Sequence, residues 1–200
     1  IDTNFTVTVS AGSASAAHLN AINDATTSLV TATDVTNITG TAATIKTLID
    51  NEGNAGDKVN LDGNFTVTVS AGTAAAADLN AINSATSSLV TATSVTTITG
   101  SASDINTLVG NEGDNGDKVD LAANVAITIG SGSASAAHLN TINTKTTGLV
   151  TATAVTALTG TAASINTLVG NEGDSGDKVN LDTDYTATIS DTDVAASVLK

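Results

Sequence analysis

The chain has 200 residues, of which 37 are Thr and 33 Ala, against two Phe, one Tyr and no Trp, Met, Cys, Pro or Arg. Its net charge of −14 argues against a nucleic-acid partner, whose phosphates require a basic surface, and against an anionic membrane surface. The lack of Cys excludes disulfides and thiolate metal sites, and no apolar run approaches the length of a membrane span.

A 60-residue repeat runs through the chain without insertion or deletion. Residues 1–60 and 61–120 are identical at 42 of 60 positions. Such exact spacing predicts that each repeat packs on the next in a fixed geometry. We therefore predict one continuous repeat array over 1–200, made of units 1–60, 61–120 and 121–180 and a partial unit 181–200. Because Ile1 is not a start Met and the fourth unit is incomplete, we expect this array to belong to a longer one.

Each repeat divides into two related halves of about 30 residues, and each half begins with strand-like segments. In repeat 2, alternation of apolar residues with Thr predicts strands at 59–61 and 65–69 in the first half. The same pattern predicts strands at 89–93 and 95–99 in the second half. Thr and Val favour strands because both side chains branch at Cβ.

A short helix is predicted after the glycine that follows the strands in each half. Ser101 and Asp104 have the spacing of a capping box, and Ile105, Leu108 and Val109 follow at helical spacing. Gly110 is then placed to be the left-handed residue that ends the helix. In the first half of the repeat, the segment that directly follows Gly72 is predicted to be helical.

These elements predict an α/β solenoid whose coils of about 30 residues contain two short parallel-stacking strands and a short helix, with two coils in each 60-residue repeat. Stacked strands are ~4.8 Å apart, whereas packed helices are ~8–10 Å apart. The array is therefore expected to curve, or to alternate the positions of its helices. A pure β-solenoid, in which the helical segments are not helical, is the alternative.

Acidic loops follow the helix in the second half of each repeat. They read Asn-Glu-Gly-Asp-Asn-Gly-Asp at 111–117 and Asn-Glu-Gly-Asp-Ser-Gly-Asp at 171–177. Closely spaced oxygen ligands with Gly are typical of Ca²⁺ sites, and the pattern resembles the Gly-Asp loops of calcium-binding β-roll repeats. The predicted calcium ligands are Glu112, Asp114, Asp117, Glu172, Asp174 and Asp177. The alternative is a solvated turn, and loop 51–57 has Asn54 in place of one Asp.

Pairs of Thr separated by one residue suggest Thr ladders along stacked strands. The pairs are Thr31/Thr33, Thr91/Thr93, Thr151/Thr153, Thr6/Thr8 and Thr66/Thr68. Flat ladders of this kind resemble the faces of ice-binding β-solenoids. Ordinary strand alternation with outward Thr is the competing interpretation.

Catalytic chemistry is not expected. His18 and His138 share one repeat position, which Asp78 fills in repeat 2, so we interpret them as surface residues. No Ser lies in a nucleophile-elbow motif, and no residues with the spacing of a catalytic triad are evident. We predict that the protein is not an enzyme, that it has no small-molecule substrate, and that it has either no cofactor or calcium.

Three phrases carry a family resemblance: residues 16–23 (AAHLNAIN), 147–153 (TGLVTAT) and 155–165 (VTALTGTAASI). They resemble the Thr/Ala-rich tandem repeats of very long secreted or cell-surface proteins of cyanobacteria and other aquatic bacteria. The resemblance covers essentially the whole chain. It implies an extracellular structural or adhesive role, and it supplies no catalytic residues.

Together these features predict a structural protein that forms or extends an extracellular fibre or surface layer by head-to-tail self-association. The first coil, from Ile1 to Val9, is as repeat-like as an interior one and therefore lacks the polar cap that natural solenoids carry. Residues 191–199 depart from the repeat pattern, which indicates a partial cap at that end. The alternatives are a spacer stalk in a giant calcium-dependent adhesin and an ice-binding solenoid.

Overall fold

The computed structural model describes residues 3–192, which form an α/β fold with parallel sheets and short helices. Among these residues, the helices are α1 (Ala16–Ala25), α2 (Ala42–Asp50), α3 (Ala76–Ala85), α4 (Ala102–Gly110), α5 (Ala136–Asn143) and α6 (Ala162–Gly170). The strands in the same residues are β1 (Val7–Thr8), β2 (Gly12–Ser15), β3 (Val30–Ala32), β4 (Val35–Gly40), β5 (Val59–Leu61), β6 (Thr66–Val69), β7 (Gly72–Ala75), β8 (Val90–Ala92), β9 (Val95–Gly100), β10 (Val119–Leu121), β11 (Ala126–Ile129), β12 (Gly132–Ser135), β13 (Val150–Ala152), β14 (Val155–Gly160), β15 (Val179–Leu181) and β16 (Thr186–Ile189).

The chain divides into two compact lobes. The N-terminal lobe contains residues 3–95 together with Glu112–Leu121, and the C-terminal lobe contains Thr96–Asn111 together with residues 122–192. Each lobe mixes parallel sheets with helices. The prediction of one continuous array over 1–200 stays a prediction.

Two parallel sheets form the N-terminal lobe, with strand orders β1-β3-β5 and β2-β4-β6-β8-β10. In the second sheet, one row of side chains passes in register from strand to strand. It consists of Ala14, Ile38, Val67, Val90 and Val119. The four larger members of this row are fully buried. Because alternate residues of a strand point to opposite faces, the predicted alternation of apolar residues with Thr becomes one buried and one outward row.

The two halves of each repeat contain different numbers of strands. β5, β6 and β7 precede α3, whereas only β3 and β4 precede α2. The prediction of a helix directly after Gly72 is therefore wrong, since Gly72–Ala75 is a strand and α3 begins at Ala76. The equivalent strand β2 pairs with β4, starting from Gly12 and Val35. Main-chain pairing with a neighbour thus overrides the weak strand propensity of a segment rich in Gly, Ser and Ala.

Because each repeat has one additional strand, successive repeats are displaced sideways, that is, along the strand direction. β5 lies in the sheet of β1 and β3, and β6, the next strand along the chain, lies between β4 and β8. β10 is the equivalent of β5 one repeat later, yet it pairs with β8, in the sheet that already contains β6. From one repeat to the next, the chain therefore moves two strands across the sheet. Equivalent strands also move by one strand position along the chain direction.

This sideways step reconciles the spacing of strands with that of helices. Two strand steps advance the chain by about 10 Å, whereas two packed helices need about 16–20 Å. In the N-terminal lobe α2 nevertheless contacts both α1 and α3. The displacement along the strands adds to the advance across the sheet, so the distance between equivalent helices is larger than the two-strand advance alone. Helices that pack side by side are therefore compatible with parallel strand stacking. Because both halves of the repeat carry a helix, the alternative of a pure β-solenoid does not describe this lobe.

The ends of the second-half helices follow the predicted capping in part. The Ser101 hydroxyl oxygen accepts the Asp104 N–H at 3.1 Å, and the same hydroxyl donates to the Asp104 carboxylate at 2.7 Å. Ile105, Leu108 and Val109, which follow at helical spacing, are all buried. Gly110 is not the left-handed residue after the helix. It is the last residue of α4, and Asn111 is the C-cap with φ −94° and ψ 4°.

The C-terminal lobe repeats this organisation. Its strands run in the orders β9-β11-β13-β15 and β12-β14-β16, all of them parallel. α5 contacts both α4 and α6. In the second sheet, β16 lies on β14 with Thr188 beside Thr159. Beyond β16 the described chain ends at Thr192, so most of the partial cap predicted for residues 191–199 lies outside the described residues.

Candidate functional site

Each acidic loop connects a second-half helix to the first strand of the next repeat. In loop 51–58, the Gly53 N–H donates to the Val59 carbonyl at 3.1 Å, and the Val59 N–H donates to the Asn51 carbonyl at 3.0 Å. Gly56 has φ +71°, a left-handed conformation that Gly adopts without steric cost. The loop is therefore a closed turn with its own main-chain hydrogen bonds.

The Lys that ends each loop explains the first Gly of the loop. A Cβ atom on Gly53 would lie 3.1 Å from Cγ of Lys58, and the equivalent distances are 3.2 Å for Gly113 and Lys118 and 3.0 Å for Gly173 and Lys178. The Lys stem thus lies directly across the glycine. Part of the loop sequence that resembles a calcium motif therefore has a packing function.

The predicted calcium ligands lie on these turns with exposed side chains. All six, Glu112, Asp114, Asp117, Glu172, Asp174 and Asp177, are exposed to solvent. In the first of the two loops, the Asn115 side-chain amide donates to the Asp114 carboxylate at 2.9 Å. Within residues 3–192, no three His, Asp or Glu side chains converge in an arrangement that could hold a metal ion. Calcium binding at these loops stays a prediction.

The Thr residues form a ladder that is one residue wide. Thr39, Thr68 and Thr91 are register partners on β4, β6 and β8. Thr93, the second member of its pair, lies in the turn between β8 and β9. The neighbour of Thr66 on β4 is Asn37, whose Oδ1 accepts the Thr66 hydroxyl at 3.0 Å. The predicted Thr pairs therefore do not line up as two parallel Thr rows.

His18 and His138 occupy the first-half helices α1 and α5. His18 is exposed and His138 is half-buried. His18 borders a groove of about 510 Å³ together with Phe5, Val7, Ala21, Ile22 and Ala25. This groove is lined almost entirely by apolar side chains and holds one titratable group.

Two buried polar positions at the end of the first-half helix, each present in all three repeats, were not predicted from the sequence. They are Asn23, Asn83 and Asn143, and Thr26, Thr86 and Thr146. The Thr146 hydroxyl donates to the Val125 carbonyl at 2.6 Å. Within the described chain, the Oδ1 atoms of the three Asn have no hydrogen-bonding partner. Recurrence of Asn and Thr three residues apart in every repeat was the signal that could have found them.

The side chains around the groove beside His18 are more exposed than their equivalents in repeat 2. Phe5 is 39% exposed, whereas Phe65, at the same position of repeat 2, is 2% exposed. Ile22 is half-buried, and its equivalent Ile82 is fully buried. In repeat 2 the difference comes from the preceding half-repeat, since α2 packs on α3 and β4 pairs with β6.

A second apolar surface lies in the C-terminal lobe. Val169 on α6 is 48% exposed, whereas Val109 at the same position of α4 is 2% exposed. Ile189, at the end of β16, is 38% exposed, and its equivalent Ile129 is buried. Both lobes therefore present apolar side chains that the interior repeat covers.

None of the helices in residues 3–192 is long and apolar enough to cross a bilayer. Comparison with known proteins found no matching family model, no matching characterised protein and no matching solved structure.

Proposed function

We propose that the chain is a structural repeat protein that forms or extends an extracellular fibre or surface layer by end-to-end stacking. In this proposal the half-repeats of both lobes belong to one α/β solenoid, with about 30 residues in each coil. The partner is another copy of the same chain, in head-to-tail contact.

The observation that carries the proposal is the difference between Phe5 and Phe65. The two residues have identical neighbours in sequence from position 4 to 12 and from 64 to 72, yet one is 39% and the other 2% exposed. Within residues 3–192, an apolar surface that the preceding half-repeat covers in repeat 2 is thus exposed at β1 and α1. Exposed contiguous apolar surfaces mark interaction sites in soluble proteins.

Charge favours contact at the groove beside Phe5. The net charge is −4 for residues 1–60 and −6 for residues 61–120, and the groove lined by Phe5, Ile22 and Ala25 contains no acidic side chain. Acidic surfaces repel one another, whereas the groove at Phe5 can be covered without that penalty. The surface at Val169 is bordered by Glu172 and Asp182. Heterologous contacts of this kind produce filaments unless a rotation closes them into a ring.

Light scattering against protein concentration, followed by negative-stain electron microscopy, tests this proposal. We expect mass to increase with concentration and regular fibres to appear. Phe5→Asp should abolish both, because it places a charge in the groove. Ser94→Asp is the matched control, since this turn residue is exposed and Asp34 occupies its position in repeat 1. A wild-type chain that stays monomeric at all concentrations contradicts the proposal.

The alternative functions differ in what the microscope shows. A spacer in a calcium-dependent adhesin predicts single stalks without an axial lattice between copies. Ice binding predicts thermal hysteresis in dilute solution and no dependence on Phe5, because the Thr ladder lies elsewhere.

A further inference from the structure

One of the three acidic loops contains an asparagine directly before a glycine. In loop 111–117 this pair is Asn115 and Gly116, whereas the equivalents of Asn115 are Ala55 in loop 51–57 and Ser175 in loop 171–177. No other Asn in the sequence is followed by Gly. The amide carbon of an Asn side chain can be attacked by the main-chain nitrogen of the next residue, and a glycine has no Cβ to hinder this approach. Asn115 is therefore the Asn of this chain best placed to react with its own backbone.

The structure leaves the attacking nitrogen accessible. Asn115 and Gly116 are both exposed. Gly116 has φ +65°, and apart from its chain neighbours no atom lies within 4 Å of the position that a Cβ would take. Within residues 3–192, the Gly116 N–H donates to no acceptor. No hydrogen bond therefore has to break before this nitrogen can lose its proton to the solvent.

The Asn115 side chain is also able to turn toward that nitrogen. Its Nδ2 donates to the Asp114 carboxylate at 2.9 Å, and both groups are exposed. Water can replace such a hydrogen bond at little cost in free energy. Exposed side chains change rotamer within nanoseconds. The contact with Asp114 therefore does not prevent Cγ of Asn115 from approaching the Gly116 nitrogen.

We propose that Asn115 is a site of spontaneous deamidation through a cyclic imide. The Gly116 nitrogen gives its proton to hydroxide and forms a bond to Cγ of Asn115, which closes a succinimide ring. The bond between Cγ and Nδ2 breaks, and ammonia leaves with a proton taken from water. One water molecule then opens the ring. Cleavage at Cγ gives Asp, and cleavage at the main-chain carbonyl carbon gives isoaspartate.

Either product changes the chemistry of the loop. The new carboxyl group is ionised at neutral pH, and it joins those of Glu112, Asp114 and Asp117. Isoaspartate also inserts a methylene carbon into the main chain. This insertion should loosen the turn that the Gly113 N–H closes by donating to the Val119 carbonyl at 3.1 Å. One of three equivalent loops thus changes irreversibly in charge and in length as the protein ages.

Peptide mapping by mass spectrometry tests the proposal on the full chain. During incubation, Asn115 should become a mixture of Asp and isoaspartate, and the rate should rise with pH because the nitrogen must lose its proton. Asn54 is the internal control, since it is exposed in the equivalent loop but is followed by Ala55. We expect Asn115 to react about tenfold faster than Asn54, which corresponds to about 1.4 kcal/mol in activation free energy.

Two variants should remove the site and create it elsewhere. Asn115→Ser, which copies residue 175, should abolish the conversion in loop 111–117. Ser175→Asn should create a second reactive pair, because Gly176 has φ +66° and surroundings as open as those of Gly116. Both changes are at exposed positions, so the fold should be retained. Circular dichroism of each variant checks this expectation.

Three results would overturn the proposal. The first is conversion of Asn115 no faster than that of Asn54. The second is formation of Asp without isoaspartate, because direct hydrolysis of the side-chain amide gives Asp alone and does not involve the Gly116 nitrogen. The third is a Ser175→Asn chain that reacts at residue 115 and stays unmodified at 175, which would contradict the contribution assigned to the glycine.

Discussion

The Thr86 hydroxyl donates to the main-chain carbonyl of Phe65, twenty-one residues earlier, and both residues are buried. The same hydroxyl oxygen accepts the Ser88 N–H at 3.1 Å. One side chain thus connects the end of α3 to the turn that precedes β6. Thr26 and Thr146 make the equivalent contacts with Phe5 and Val125.

Thr86→Val should destabilise the protein because it removes both hydrogen bonds while keeping the shape of the side chain. A buried carbonyl and an N–H would lose their partners, which costs about 1–3 kcal/mol. Thr86→Ser retains the hydroxyl and should cost much less. Urea unfolding followed by circular dichroism measures both variants. Equal stabilities for the two would show that the hydroxyl contributes nothing.

Gly40→Ala should also destabilise the protein. Gly40 has φ +153°, and a Cβ there would lie 2.8 Å from Oγ1 of Thr44. We expect a loss of about 1–2 kcal/mol, since non-Gly residues rarely adopt such a conformation. Gly63→Ala is the control, because no atom lies within 4 Å of its added Cβ and its φ is not positive. A Gly40→Ala variant as stable as the wild type would contradict the positive φ of Gly40.

Phe65→Ala and Phe5→Ala form a matched pair within identical local sequences. Phe65→Ala should lower the free energy of unfolding by about 3–5 kcal/mol, the usual cost of deleting a buried Phe. Phe5→Ala should cost less than half of this, because Phe5 is partly exposed. Dilute samples in which the chain is monomeric are required. Similar losses at both positions would mean that Phe5 is covered in solution.

Calcium at the acidic loops is tested by thermal melts in millimolar Ca²⁺ and in chelator. If Ca²⁺ binds, the melting temperature should rise, by the equivalent of about 2.7 kcal/mol when free Ca²⁺ is a hundredfold above the dissociation constant. Asp114→Asn together with Asp117→Asn should reduce the shift, whereas Asp62→Asn, outside the loops, should not. Identical melts in both buffers would leave these loops as turns.

Much of the fold could be predicted from the sequence because the spacing of the repeat is exact and its apolar pattern is regular. The alternation of apolar residues with Thr around Val67 predicted β6, and the capping-box spacing of Ser101 and Asp104 predicted the start of α4. β7 was not predicted, because a segment rich in Gly and Ala has a weak strand propensity of its own; its equivalent β2 is a strand through pairing with β4. The sideways step follows from that strand, so it was also unpredictable. The open groove at Phe5 depends on what lies beside it, which no local pattern records.

The strands β2, β4, β6, β8 and β10 form a complete five-stranded sheet within residues 3–95 and 112–121. Wherever the sideways step recurs, one strand leaves each sheet as another enters, and a sheet cannot exceed five strands however many repeats follow. A long Thr- and Val-rich protein whose strands stacked in one uninterrupted column would resemble a cross-β fibril, with identical segments aligned over its whole length. Here the hydrogen-bonded ladder is interrupted at regular intervals, which limits how far a misaligned strand from another molecule could propagate. We therefore expect the asymmetry between the two halves of the repeat to oppose amyloid-like growth.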